Sequence, residues 1–396
     1  MSPHPPKRAD ANTCRCTPAG LPPRGPATWP QPDPALTPAL APGPELAPAE
    51  PAPEAPAGFD DLFARMRSGF ALPEVENASV EREIAWYRSN PAYLERTFGR
   101  GRRYLHHIVE VLEERGLPRE LALLPVVESA FDPFALSRAR ASGLWQFIPS
   151  TGRRYGLAQD WWTDDRRDVL AATRAAVDHL ASLRDTFGGD WLLALAAYNA
   201  GAPRVKRAVG RNLRGGESTD FFALPLPRET RRYVPKLLAL ARVVAEPEAF
   251  GIELPPIANE PYFARVDVAH QVDLGRVADL AEIPREELRA LNPEFLRWAT
   301  APGGPHELLV PAPDKERFQQ VLAELPPSER LRLVHHRVAR GDTLSGIARR
   351  HGVPLEALRS VNRIRGSSIR AGQDLLVPVP YEANAAVARR DEAEAG

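Results

Sequence analysis

From Leu121 to Phe131 the chain is almost continuously apolar, and Leu117, Leu121, Leu124 and Glu128 recur at spacings of three and four. That period predicts one helix face, with the carboxyl group of Glu128 set among apolar neighbours. A second apolar run, Trp191 to Tyr198, predicts a buried helix, with Asn199 or Gly201 as its carboxy-terminal cap. Nearer the end the pattern changes. Val338 opens a strand, Leu344, Ile347 and Ala348 mark one helix face, Leu355 and Leu358 mark another, and Leu375 to Val377 close with a second strand. A strand, helix, helix, strand module of roughly forty-five residues has only a small core.

The same pattern occurs once before. Leu274, Val277, Ala278, Ile283, Pro284, Leu288 and Asn292 each lie 70 positions ahead of Leu344, Ile347, Ala348, Val353, Pro354, Leu358 and Asn362. For Leu308-Leu309-Val310-Pro311 against Leu375-Leu376-Val377-Pro378 the offset is 67. A constant offset with one three-residue change predicts two copies of one fold, the first with a longer last loop.

Glu128 is the strongest chemical candidate. Desolvation penalises a charged carboxyl group, so burial raises its pKa and leaves an acid able to donate a proton near neutral pH. Such a donor suits cleavage of a glycosidic bond. On periodicity alone, a helix-end or partly exposed role remains open for it. Most glycosidases use a second carboxylate, and no obvious partner stands beside Glu128. Asp132 precedes Pro133, which disfavours helical geometry before it, so Asp132 is expected to form a turn.

Motifs extend around this acid in order. They are Glu128-Ser129-Ala130-Phe131-Asp132-Pro133, Ala135-Leu136-Ser137, Gly143-Leu144-Trp145-Gln146-Phe147, Thr151-Gly152, Tyr155-Gly156-Leu157, Asp164 to Asp168, Ala197-Tyr198-Asn199-Ala200-Gly201, and Glu229-Thr230-Arg231-Arg232-Tyr233-Val234-Pro235. Through them the segment from about Phe59 to Phe250 resembles the membrane-bound lytic murein transglycosylase D family. The resemblance implies a mainly α, lysozyme-like catalytic domain of the goose-type or SLT kind. It implies cleavage of peptidoglycan glycan strands at the β-1,4 bond between N-acetylmuramic acid and N-acetylglucosamine.

By the same resemblance Glu128 falls on the catalytic acid. It would protonate the leaving oxygen, then as a base deprotonate the muramic acid 6-hydroxyl, which closes a 1,6-anhydro ring. The substrate's own acetamido group supports the positive anomeric centre, and neither a metal nor an organic cofactor is implied. Ser137, Gln146, Tyr198 and Asn199 match residues lining the sugar cleft, and Glu229 matches an acidic residue near it. A site built to hydrogen-bond a sugar discriminates strongly. Without the resemblance, Ser137 could cap the next helix, Tyr198 and Trp145 could be core aromatics, and Gln146 could be solvated. The Asp164 to Asp168 cluster is expected to be a salt-bridged loop or helix start that braces the cleft.

The carboxy-terminal module, with Gly341-Asp342-Thr343-Leu344-Ser345-Gly346, looks like a LysM domain, a small α+β (βααβ) fold. LysM units bind N-acetylglucosamine-containing glycans in a shallow groove. Gly341, Asp342, Thr343, Leu344, Asn362 and Ile364 are the candidates here, while Asp342 and Thr343 are also natural helix caps. The first copy has Gln271-Val272-Asp273 in place of Gly341-Asp342-Thr343, so the resemblance does not carry sugar binding over to it. A weak second site tethered to the catalytic domain raises the local concentration of a polymeric substrate.

Composition fits this layout. The 396 residues are expected to divide into a disordered Pro/Ala-rich tether (1–57), a helical extension (58–115), the catalytic domain (116–250), the divergent LysM-like repeat (262–312), the LysM domain (334–380) and a flexible tail (381–396). With 51 basic and 51 acidic residues the net charge is +0, and arginine, which greatly outnumbers lysine, is interspersed with acids, so nucleic acid is not an expected partner. The expected partner is the glycan strand, met by a monomer with a possible envelope association. A periplasmic or cell-envelope location follows from the resemblance. Met1 to Arg8 lacks a following apolar region, and no hydrophobic run precedes Cys14 and Cys16, so neither a signal peptide nor a lipid-attachment site is readable. The two cysteines, one residue apart, are not expected to form a structural disulfide. The alternatives are a hydrolytic muramidase and a non-catalytic peptidoglycan-binding protein.

Overall fold

The computed structural model describes residues 58–379 apart from Trp161 and residues 302–305. The expected amino-terminal tether, with Cys14 and Cys16, and the expected tail lie outside the described residues.

Helices α1 (Leu62–Arg67), α2 (Ala78–Ser89), α3 (Pro91–Gly101), α4 (Leu105–Glu114), α5 (Leu124–Ser129), α7 (Val169–Thr186), α8 (Trp191–Ala200), α9 (Ala202–Gly215) and α10 (Arg228–Ala245) share one apolar core, and the short polar α6 (Pro149–Arg154) lies between α5 and α7 in the chain. Their starts are written in short polar side chains. Asp61, Asn77, Asp168 and Asp190 each accept a backbone N–H from the first turn of α1, α2, α7 and α8. Helix α8 is apolar nearly all round and is buried from Leu192 to Ala197, which makes it the axis that α7, α9 and α10 surround. Gly201, at φ 84°, ends it and gives its N–H to Ala197. The cap is thus the glycine, and Asn199 lies inside the last turn.

The continuous helix expected from Leu117 to Glu128 is replaced by two short pieces. Gly116 turns at φ 60°, a 3-10 helix covers Arg119–Leu123, and α5 restarts at Leu124 with Pro125 in its first turn. Proline lacks the N–H that would tie one piece to the other, so the chain tightens and begins again. The apolar face survives the break, because Leu117, Leu121 and Leu124 are all buried.

Two small units follow. In the first, β1 (Phe263–Val268) pairs antiparallel with β2 (His306–Pro311), Phe263 opposite Pro311, around α11 (Leu274–Leu280) and α12 (Arg285–Leu291). Helix α13 (Lys315–Glu324) adds Phe318 to its core, and α14 (Pro327–Arg330) leads onward. The second unit pairs β3 (Arg332–Arg337) with β4 (Asp374–Val379) around α15 (Leu344–Arg350) and α16 (Leu355–Val361). Val338 lies just past its strand, yet still exchanges hydrogen bonds with Gln373 and Gly372.

The repeat register reappears atom by atom. Asn292 Nδ2 donates to the carbonyls of Leu288 and Leu309 at 2.8 and 2.7 Å, and its Oδ1 accepts the Leu309 N–H at 2.8 Å. Asn362 does the same with Leu358 and Leu376, at 2.8, 2.6 and 2.7 Å. Each asparagine therefore clamps the end of its second helix to its last strand. Asp273 and Thr343 likewise occupy equivalent N-caps of α11 and α15.

The first unit is docked on the helical part. Arg103 forks onto Glu287 at 2.8 and 2.7 Å, Tyr262 donates to the same carboxylate, and Tyr104 donates to the carbonyl of Ala290. The longer last loop makes a backbone exchange: Asp164 N–H to Glu294 O at 3.0 Å and Leu296 N–H to Trp162 O at 2.8 Å. Leu291 and Leu309 complete the dock by packing in the helical core.

Asn292→Ala takes the side-chain partner from the buried Leu309 N–H and carbonyl, while the Leu288 carbonyl keeps the Asn292 backbone N–H, a cost of about 2–3 kcal/mol to its unit. Amide exchange at Leu309 should accelerate by about 30-fold or more, with the same at Leu376 in Asn362→Ala. Unchanged exchange at these amides would count against the clamp.

Candidate functional site

Glu128 lies at the end of α5, where the chain reverses within a few residues. Ala130 and Phe131 adopt left-handed φ of 51° and 55°, an uncommon conformation for residues with a side chain. Phe131 is fully buried and presses on Gly101, where a Cβ would come within 2.7 Å of its ring. Asp132 accepts the Phe134 N–H at 2.9 Å, the expected turn.

The following loop builds one wall of a cleft of about 720 Å³. Ser137 exchanges hydrogen bonds with Ala141, its hydroxyl accepting the Ala141 N–H at 3.0 Å; it closes a loop and caps no helix. Gln146, at φ 50°, donates its side-chain amide to the carbonyls of Ala135 and Gly143. Trp145 is core, its indole N–H on Thr173, while its carbonyl receives the Tyr198 hydroxyl at 2.9 Å.

Behind the wall, Arg166 pairs with Asp164 at 2.7 Å, both buried, and donates to the carbonyls of Arg140 and Phe147 at 2.6 and 3.0 Å. Gly143 is required there, since a Cβ would meet the Arg166 carbonyl at 2.2 Å. The Asp164 to Asp168 segment thus braces the cleft through its buried Asp164–Arg166 pair, with Asp168 capping α7.

From the opposite side α8 and α10 bring Tyr198, Asn199, Glu229, Tyr233 and Lys236 into the same cleft. Thr230 donates to Asn199 Oδ1 at 2.8 Å. All six residues singled out in the sequence, Glu128, Ser137, Gln146, Tyr198, Asn199 and Glu229, line this one space. Among its described lining residues the carboxylates are Glu128 and Glu229. A hollow of about 840 Å³ near the two small units, lined by residues such as Arg289, Trp298 and Pro354, is somewhat larger but contains none of the six.

Tyr233 was quoted in the sequence pattern but assigned no part. Its buried hydroxyl donates to Glu128 Oε1 at 2.5 Å. The signal available was its position four residues after Glu229, one turn along the same helix face. His179 and Tyr155 also line the cleft, bonded to each other at 2.9 Å, and burial lowers His179 to about 4, so it stays neutral.

Burial raises the pKa of Glu128 to about 7, against the Tyr233 hydrogen bond, which lowers it; the nearby Glu229 charge adds to the rise. The residue keeps part of its surface open to the cleft. The combination is a carboxyl group surrounded by protein, reachable by a ligand, and close to half-protonated at neutral pH.

In the second small unit Thr343 caps α15 and Gly341 turns at φ 93°. Asp342 is held down to about 2 by the Ala339 N–H, Arg350 and His336. Leu344 is core and Asn362 is spent as the clamp, so the side chains of these two are not available to a glycan; Ile364 packs partly buried on the same core.

The Transglycosylase SLT domain family matches residues 109–221, the family described as Lytic transglycosylase MltD, LysM-like domain matches 262–326, and the LysM domain family matches 336–378. The mainly helical, lysozyme-like class with small LysM modules agrees with these matches. The membrane-bound lytic murein transglycosylase C of Glaesserella parasuis is 33% identical over 27% of this chain and 33% of its own. A solved lytic transglycosylase Slt from Pseudomonas aeruginosa is 27% identical over 38% of this chain, which spans 25% of that structure with a TM-score of 0.30. Membrane-bound lytic murein transglycosylase D of Escherichia coli (strain K12) is 39% identical over 327 residues, 80% of this chain and 72% of the relative. The chain belongs to the membrane-bound lytic murein transglycosylase D family.

Proposed function

We propose that this chain is a peptidoglycan lytic transglycosylase in which Glu128 is the single acid and base. The observation that carries the reading is the Glu128 carboxyl, raised by burial to about 7 on the floor of a polar cleft and held by the Tyr233 hydroxyl. In its protonated form it gives its proton to the oxygen that leaves the muramyl anomeric carbon. The carboxylate so formed is stabilised by Tyr233, whose hydrogen bond favours the charged form. It then accepts the proton of the muramyl 6-hydroxyl as that oxygen bonds to the anomeric carbon. One carbon–oxygen bond breaks, one forms, and Glu128 ends protonated as it began, so water is not consumed.

Neighbouring groups suit the positioning of a sugar. Thr230 occupies the Asn199 oxygen, which leaves the Asn199 amide hydrogens for an acetamido carbonyl. Gln146 commits its nitrogen to the backbone, which leaves its oxygen for a sugar donor. Ser137 and Tyr198 are held by their own backbone partners at the cleft wall. The LysM unit would add glycan affinity through the exposed loop around Gly341 to Thr343, keeping the cleft near its polymer. Action in the cell envelope follows from the location of that polymer. Among the described residues no helix is long and apolar enough to cross a membrane.

Hydrolysis is the second reading, because Glu229 supplies a carboxylate in the same cleft whose charge reaches Glu128. Mass spectrometry of fragments released from purified peptidoglycan separates the two, since an anhydro end is one water lighter than a reducing end. Anhydro ends are expected from the parent chain, with release slowed about 10²–10⁴-fold in Glu128→Gln. Reducing ends would establish a muramidase, and equal release by both chains would remove Glu128 from the chemistry.

The pH dependence follows from the same residue. Between its ordinary 4.5 and about 7 the folded chain holds a proton that the unfolded chain has lost, so stability falls as pH rises through that window. Glu128→Gln should abolish this slope and exceed the parent at alkaline pH by on the order of 1–3 kcal/mol. The rate should fall on the alkaline side with a midpoint near 7, and Tyr233→Phe should move the midpoint upward. A midpoint unmoved by Tyr233→Phe would contradict the tyrosine's role.

A further inference from the structure

Helix α9 carries a charge pattern that the neutral chain as a whole conceals. Arg204, Arg207, Arg211 and Arg214 are spaced three, four and three apart, which places them on one exposed stripe about 15 Å long. Lys206 adds a fifth exposed cation, and no acidic residue occurs from Trp191 to Gly216. Among the described residues none of the five has an acidic partner. Like charges at these spacings oppose the helix that carries them. The opposite face of α9, with Val205, Ala208 and Asn212, is buried, so the stripe is presented to the outside by necessity.

The stripe begins at the cleft. Ala202 and Pro203, the first two residues of α9, line the same space as Glu128, and Arg204 is the next residue. Another part of the rim is cationic too. From Pro133 to Gln159 there is no acid, and Arg138, Arg140, Arg153 and Arg154 are all exposed, Arg154 lining the cleft itself. A ligand that fills the cleft and continues along α9 therefore meets arginine on leaving it. The sugar rings of a glycan strand carry no charge to match. The short peptides attached to its muramic acid residues do, through their free carboxylates, and arginine grips carboxylates bidentately.

We propose that Arg204, Arg207, Arg211 and Arg214 form a binding row for the acidic stem peptides of peptidoglycan, so that the chain engages peptide-bearing strands in preference to bare glycan. This rests on the transglycosylase reading and names the substrate form for the same cleft. An anionic bilayer is the competing occupant of a basic helix face. Continuity of the row with the cleft favours the peptides.

The test uses the full chain carrying Glu128→Gln, which should bind with little cleavage, and the same chain with Arg204→Gln, Arg207→Gln, Arg211→Gln and Arg214→Gln added. Each is sedimented with purified peptidoglycan, with the same material freed of its peptides by an amidase, and with phosphatidylglycerol vesicles. A melting temperature no lower than that of the first chain checks the fold of the second. The first chain should bind peptide-bearing material about tenfold or more tightly than stripped material at low salt, and the second should lose that preference while binding stripped material equally well. A preference retained by the second chain overturns the row. So does a loss confined to the vesicles, which would assign the stripe to lipid. Failure of the parent enzyme to release fragments from either peptidoglycan would instead sink the transglycosylase reading, and the row's assignment with it.

Discussion

The guanidinium of Arg166 is divided between the Asp164 carboxylate and the carbonyls of Arg140 and Phe147, and nearly all of it is buried. Those two carbonyls belong to the loop that walls the cleft. Gly143 is pressed against the backbone of Arg166 and Gly152 against its side chain, so even the glycines of the motif take their places from this residue. A buried ion pair adds little net stability over an apolar pair of the same shape, but removal of one partner strands the other charge. Its value here is geometric. The brace fixes where Trp145 and Gln146 stand relative to α8, and Asp164 extends it by receiving the first small unit at its backbone N–H.

Within that frame Glu128 is balanced between opposing influences. Burial and the charge of Glu229 favour the protonated acid, and Tyr233 favours the carboxylate. In the proposed mechanism Glu128 is used twice, once to give a proton and once to take one, and such an acid is best served by a pKa near the working pH. The cleft reaches that condition with two side chains from a single helix, α10, spaced one turn apart.

Much of this was legible along the chain. Apolar periodicity found the buried face leading to Glu128, the constant offset found the repeated unit, and short polar residues marked helix starts such as Thr343. The misses share a cause. Tyr233 meets Glu128 across 105 positions, a contact no local period contains. The 3-10 break arises because Pro125 cannot carry the ladder forward, although the apolar spacing reads through it. Asn362 looked like a ligand and proved to be a clamp, and the clue was its twin at Asn292, since a residue kept in both copies at the helix end suits a shared fold. Arginine appeared evenly mixed with acids over the whole chain, which averaged away the stripe on α9.

The longer last loop of the first LysM-like unit has a consequence for how the two copies age. Once Glu294 and Leu296 pair with the loop behind the cleft, a change in that copy is transmitted to the wall that holds Gln146. The second copy has a core and a clamp of its own, so a change there is absorbed locally. Duplicates of common design thus come to differ in the mutations they tolerate. The docked one is bound to keep its contacts with the cleft wall, whereas its sibling answers to its own core and clamp and, on the proposed reading, to its Gly341–Thr343 loop.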